Sequence, residues 1–265
     1  MTNIFFRQLV FGLAFFLTLA SRADTVAFFY ALDKDLETFK AQARPVGQAL
    51  KVGGRSIAVF QLNLHRVYCV KMGAGAVETA ASTQALLARI PCDEAFSVGP
   101  VGMLSDALKA GSWYRVDQII PYQKGSWSKA GFQASPAISL KDEGTNKVIL
   151  PELFEKAGPL RVASGEMFIA SNNYRQQLQE MTGAEAVDMN LFGLATVCLD
   201  QHVPLLCWRI VSDRANDDAS EDFQNFVGHY DGAGGKAIAK IIQTLPANPS
   251  SPDSYSNINR LLSAP

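Results

Sequence analysis

Short apolar runs alternate with stretches of helical spacing along nearly the whole chain, and that alternation limits the possible folds more than any other feature. Thr25 to Ala31 is an almost continuous apolar run of strand length, and Asp33 to Ala43 follows with charges at helical spacing. A strand apolar at every position is buried on both faces, so helices must cover both sides of its sheet. Ser56 to Asn63 and Arg66 to Met72 read as two further strands with only Leu64 and His65 between them, a hairpin or meander. Gly73-Ala-Gly75 then leads into Ala76 to Ile90, a stretch rich in Ala and Leu that lacks Gly and Pro and is expected to be helical. Glu94 to Val98, Leu160 to Ile169 and Val203 to Val211 add strands, and Tyr174 to Met181 and Leu191 to Gln201 add helices. A last helix is expected over Glu221 to Leu245, with Gly232, Gly234 and Gly235 as its weak point. The pattern predicts a single three-layer α/β domain, a mixed central sheet flanked by helices, with its ligand site beyond the carboxyl ends of the strands.

Ahead of this domain, Arg7, an apolar run from Leu9 to Ala20 and the small residues of Ser21-Arg-Ala23 have the layout of a signal peptide, 1–23. The mature domain, 24–265, is then expected in the periplasm or outside the cell. A membrane anchor needs about 20 unbroken apolar residues. Arg22 and Asp24 end the run too soon, so no membrane association is expected after cleavage. Gln123 to Asn146 shows little periodicity and reads as a long loop forming one wall of a pocket. Residues 246–265, rich in Pro, Ser and Asn, read as an extended tail.

The formal net charge is −1 and no basic cluster occurs, which argues against nucleic acid or an anionic membrane surface as partner. Cys69, Cys92, Cys198 and Cys207 form no C-x-x-C pair and mostly lie in apolar segments, as buried free thiols do. His65, His202 and His229 have no helical partner at i, i+4, so neither a metal nor a cofactor is expected.

Three segments carry a sharper message: Val162-Ala-Ser-Gly-Glu-Met-Phe-Ile169, Ala186-Val-Asp-Met-Asn190 and Trp208-Arg-Ile-Val-Ser-Asp213. In that order and spacing the chain resembles the 5′-methylthioadenosine/S-adenosylhomocysteine nucleosidases and their nucleoside phosphorylase relatives. Those proteins read Ser-Gly-Asp-x-Phe-Ile, Ala-Val-Glu-Met-Glu and Arg-x-Ile-Ser-Asp. Tyr30-Ala-Leu-Asp-Lys-Asp35, the turn at Gly73 and Gly99-Pro-Val-Gly102 resemble further family segments, so the likeness spans about 25 to 245. It implies a nucleoside phosphorylase-like fold, a small-molecule purine nucleoside as ligand, and a homodimer.

Cleaving a purine N-glycosidic bond requires a proton for the departing base and a nucleophile for the anomeric carbon. The resemblance makes Asp213 the acid, bonded to N7 and the exocyclic amine, with Ser212 beside it. Asp35 would orient the attacking water, Asp33 being the alternative in a shifted register. Arg209 would position that water, Phe168 would stack on the base with Ile169 bordering it, and Met189 would lie under the sugar. Asp188 and Asn190 replace two glutamates of the family pattern, and Pro100 replaces a serine. Asn190 can still bond a ribose hydroxyl but supplies no countercharge to the sugar cation. The function implied is hydrolysis of adenosine-type nucleosides, because the turns at Gly73 and Gly99 carry no Arg to hold phosphate. The alternatives are a non-catalytic nucleoside-binding protein on the same scaffold and a phosphate-dependent phosphorylase.

Overall fold

The computed structural model describes residues 25–140 and 148–246. The expected signal peptide and all but Pro246 of the expected tail lie outside the described residues.

The first strand, β1 (Thr25–Tyr30), is buried at all six positions and runs parallel to two neighbours. The helix α1 (Asp33–Lys40) follows, and the short strands β2 (Arg44–Pro45) and β3 (Leu50–Val52) edge the next strand, β4 (Arg55–Leu62). β4 turns back antiparallel into β5 (His65–Lys71) through Asn63 and Leu64, where Asn63 takes the left-handed φ of +52° that Asn tolerates. α2 (Ala76–Leu87) leads to β6 (Glu94–Met103), which flanks β1 on its other side and is twice as long as the sequence suggests, because pairing continues through Gly99-Pro100-Val101-Gly102.

Beyond β6 come β7 (Trp113–Pro121), a hairpin of β8 (Gly125–Ser128) and β9 (Gly131–Ala134), β10 (Ile138–Ser139) and α3 (Glu152–Glu155). They are followed by β11 (Pro159–Ser164), α4 (Asn172–Thr182), β12 (Ala186–Asp188), α5 (Leu191–Asp200), β13 (Leu205–Asp213), α6 (Ala219–His229) and α7 (Ala233–Thr244). Among the described residues, eleven strands share one mixed sheet.

The alternation of side chains along β1 produces the three layers. Val26, Phe28 and Tyr30 pack with Phe39 of α1 and with Ile238, Ile241 and Ile242 of α7, whereas Ala27 and Phe29 pack with Leu86 and Leu87 of α2 and Leu194 of α5. α2 and α5 approach almost backbone to backbone at Gly193, where an added Cβ would sit 2.0 Å from the Ala76 carbonyl oxygen.

The sheet also closes on itself. β13 pairs parallel with β6 and antiparallel with β7, β7 and β12 both pair parallel with β11, and β12 returns antiparallel to the end of β6. Gly102 is the junction, opposite Val187 of β12 and Asp213 of β13. Ring closure therefore draws the carboxyl ends of β6, β12 and β13 to one place.

Two expectations need correction. Where described, the segment 123–146 is not a plain loop: it holds the β8–β9 hairpin and β10, and its Gln123 and Lys124 line a pocket beside Phe192 rather than the cavity at the strand ends. Trp127 and Phe132 pack on one another across that hairpin at 5.5 Å, but with no core beneath them their strands show no apolar alternation. The expected final helix is two, broken where Gly232 takes a φ of +76°. Among the described residues no helix is long and apolar enough to cross a membrane. All four cysteines are free thiols, three of them buried.

Candidate active site

A cavity of about 330 Å³ opens at the carboxyl ends of β6, β12 and β13. Seven of the nine residues given site roles from sequence line it: Phe168, Ile169, Asp188, Met189, Asn190, Ser212 and Asp213. Asp35 and Arg209 do not line it. Both are fully buried.

Asp213 ends β13, a strand buried at all nine positions, and is itself only 3% exposed. Its Oδ1 accepts the Ala215 N–H at 2.9 Å, and its Oδ2 lies 2.7 Å from Ser212 Oγ. Ser212 Oγ also lies 3.1 Å from the Val101 carbonyl, which can only accept. One hydroxyl carries one proton: given to Asp213 it favours the carboxylate, and given to Val101 it leaves a lone pair to which a protonated carboxyl can donate, so Ser212 can partner either form. Burial raises the Asp213 pKa above the usual carboxylate range, against the Ser212 and Ala215 hydrogen bonds that lower it. The carboxyl fits only because Gly102 has no side chain, since a Cβ there would sit 2.7 Å from Oδ1.

Asp188 and Arg209 form a buried ion pair, Nε to Oδ2 at 3.4 Å. Both Asp188 oxygens also lie 3.2 Å from the Leu191 N–H, so the carboxylate caps the start of α5. Arg209 Nη1 donates to Ser97 Oγ at 3.2 Å and to the Trp208 carbonyl at 3.0 Å. Burial raises the Asp188 pKa and the Arg209 charge opposes that rise.

Asn190 lines the cavity, but its amide nitrogen is committed to the fold. Its amide nitrogen donates to the Gly73 carbonyl and to Thr79 Oγ1, the latter at 3.0 Å, so it braces the β5–α2 turn against the start of α5. Both amide hydrogens are taken, and Oδ1 is the atom left to meet a ligand. A Glu at this position would set a carboxylate against the Gly73 carbonyl.

Asp35 Oδ1 accepts Tyr230 O–H at 2.6 Å and Gly235 N–H at 3.0 Å, which ties α1 to the start of α7. Burial pushes its pKa up to about 6 despite those two bonds and the Arg209 charge. Asp35 Oδ2 and Arg209 Nη2 are both buried without a hydrogen-bond partner among the described residues.

The mouth of the cavity is aromatic. Phe168, 43% exposed, meets Phe223 of α6 edge to face at 5.7 Å. Leu32, inside the Tyr30–Asp35 segment, and Met72, beside the Gly73 turn, also line the cavity, as does Phe223, which the sequence reading missed because no motif or charge sets it apart from core residues. Few polar groups among mostly apolar walls suit a flat heteroaromatic ring.

Residues 25–245 match the phosphorylase superfamily. A 5′-methylthioadenosine/S-adenosylhomocysteine nucleosidase of Mycobacterium bovis is 24% identical over 216 residues, covering 71% of this chain and 85% of that protein. Among solved structures, the S. pneumoniae 5′-methylthioadenosine/S-adenosylhomocysteine nucleosidase with a transition-state inhibitor superposes with a TM-score of 0.72 at 19% identity, covering 83% of this chain and 99% of that one. A futalosine hydrolase of Helicobacter pylori gives 0.71 at 18% identity, covering 84% and 97%. Fold, ring closure and profile agree, and the chain belongs to the phosphorylase superfamily.

Proposed function

We propose that this protein is a purine nucleosidase that hydrolyses the N-glycosidic bond of adenosine-type nucleosides. The observation that carries the reading is the Asp213 carboxyl, which lines the cavity at the end of β13 while almost fully buried, so that burial favours its protonated form. As the bond breaks, negative charge collects on the purine, and Asp213 supplies the proton that neutralises it at N7. Phe168 stacks on the base and Ile169 borders it. Asp35 and Arg209, buried outside the cavity lining, reach the attacking water only when bound nucleoside opens a path to the unpartnered Oδ2 and Nη2, and Asp35 then accepts the water's proton. Known nucleosidases of similar sequence and fold support the assignment.

The brace at Asn190 favours a second reading, a protein that binds nucleosides without turning them over, because no carboxylate meets the sugar cation there. Methylthioadenosine, adenosine and inosine, each with and without phosphate, separate the readings. Free base from the adenosine-type substrates without phosphate is expected. Calorimetric binding with no base released establishes the second reading, and strict dependence on phosphate makes the protein a phosphorylase.

We further propose that 1–23 is a cleaved signal peptide, that the mature protein lies in the periplasm or outside the cell, and that it is a homodimer. The mature protein is expected to begin at Asp24 by intact mass and to show twice the chain mass in solution. A retained leader or a monomer contradicts the corresponding statement.

A further inference from the structure

We propose that Tyr230 is a positioning residue for Asp35, its hydroxyl holding Oδ1 so that Oδ2 is the oxygen left for the attacking water. This rests on the nucleosidase reading and adds a residue that no sequence motif marks.

Tyr230 sits in the break between α6 and α7, its ring stacked on Phe226 at 5.2 Å and 28°. Its oxygen accepts the Gly234 N–H at 3.0 Å. A backbone N–H can only donate, so the hydroxyl's own proton is directed to Asp35 Oδ1, 2.6 Å away. Gly235 N–H donates to the same oxygen at 3.0 Å, and Oδ2 has no partner among the described residues. The two oxygens of one carboxylate are thus held unequal.

The charged and titratable groups that act on Asp35 are Arg209 from β13, Tyr230 itself and Asp231 from the α6–α7 break. Asp231 is occupied by Lys236 Nζ at 3.2 Å and Ala233 N–H at 3.0 Å. Burial favours the protonated carboxyl, and the Tyr230 and Gly235 bonds favour the carboxylate that a water-activating base must be. Removing the Tyr230 hydroxyl takes away one of those donors, so Asp35 protonates at higher pH.

The test is Tyr230→Phe, read as the acid limb of the kcat profile and as the carbon-13 NMR titration of the Asp35 carboxyl. In Tyr230→Phe the limb and the NMR midpoint are expected to rise together by about one pH unit. At pH 7, kcat is expected to fall about twofold, and on the acid side of both midpoints about tenfold, with KM unchanged. Replacing Tyr230 with 3-fluorotyrosine, a stronger donor of the same shape, moves both midpoints down and covers the case in which the Phe variant does not fold. An NMR midpoint unmoved in both variants overturns the proposal, whatever the activity. Asp35→Asn isolates the parent reading. If it turns over like wild type, Asp35 is not the water's base and that reading fails, and if it is inactive while Tyr230 variants leave the acid limb unmoved, only the role of Tyr230 fails.

Discussion

Asp213→Asn is expected to lower purine release by about a hundredfold or more while leaving the fold and nucleoside binding in place. The amide is nearly isosteric with the protonated carboxyl. Its oxygen still accepts the Ala215 N–H, and its N–H₂ donates to Ser212 Oγ, which still donates to the Val101 carbonyl. What it lacks is a proton acidic enough to transfer to N7. Turnover by release of free base, together with nucleoside affinity by calorimetry, checks this, and an Asn variant that keeps wild-type turnover refutes the acid role. The wild-type pH profile follows from the same groups. Asp213 acts protonated, so activity falls as pH rises through its elevated pKa. Asp35 acts ionised, so activity falls as pH drops below about 6.

The second large effect concerns stability. Asp188→Ala is expected to cost about 3–5 kcal/mol, because Arg209 would remain charged and fully buried without its partner. The same change removes the acceptor at the start of α5, since Asp188 holds the Leu191 N–H. Pairing it with Arg209→Met removes the stranded charge and recovers most of the loss. Denaturant unfolding measures both variants. A cost under about 1 kcal/mol for Asp188→Ala alone shows that the pair is not a structural unit.

These two carboxylates also show how far the sequence could be read. β1 and β13 are legible because unbroken apolar runs buried on both faces have few other uses in a domain of this size. β7 is not, because Arg115, Asp117 and Gln118 interrupt its apolar positions, and its place is fixed instead by pairing with β11 and β13. The lining residues from Phe168 to Asp213 are legible through their motifs at strand ends, where ring closure brings them together.

Partnerships across the chain are not legible. Tyr230 meets Asp35 across 195 positions, and Asn190 meets Gly73 across 117. Neither residue type announces its partner, so Asn190 reads from sequence as a sugar contact, and the second use of its amide nitrogen as a brace shows only in the fold. Phe223 likewise becomes a wall of the site only because α6 follows directly on the turn after Asp213.

A structure of the protein with bound adenine, and the distance it gives from the Asp213 carboxyl to N7, is the most direct measurement. The expected result is a carboxyl oxygen about 2.6–3.2 Å from N7 with the purine ring against Phe168. A purine seated in the cavity with Asp213 turned away from N7 contradicts the assignment of Asp213 as the acid.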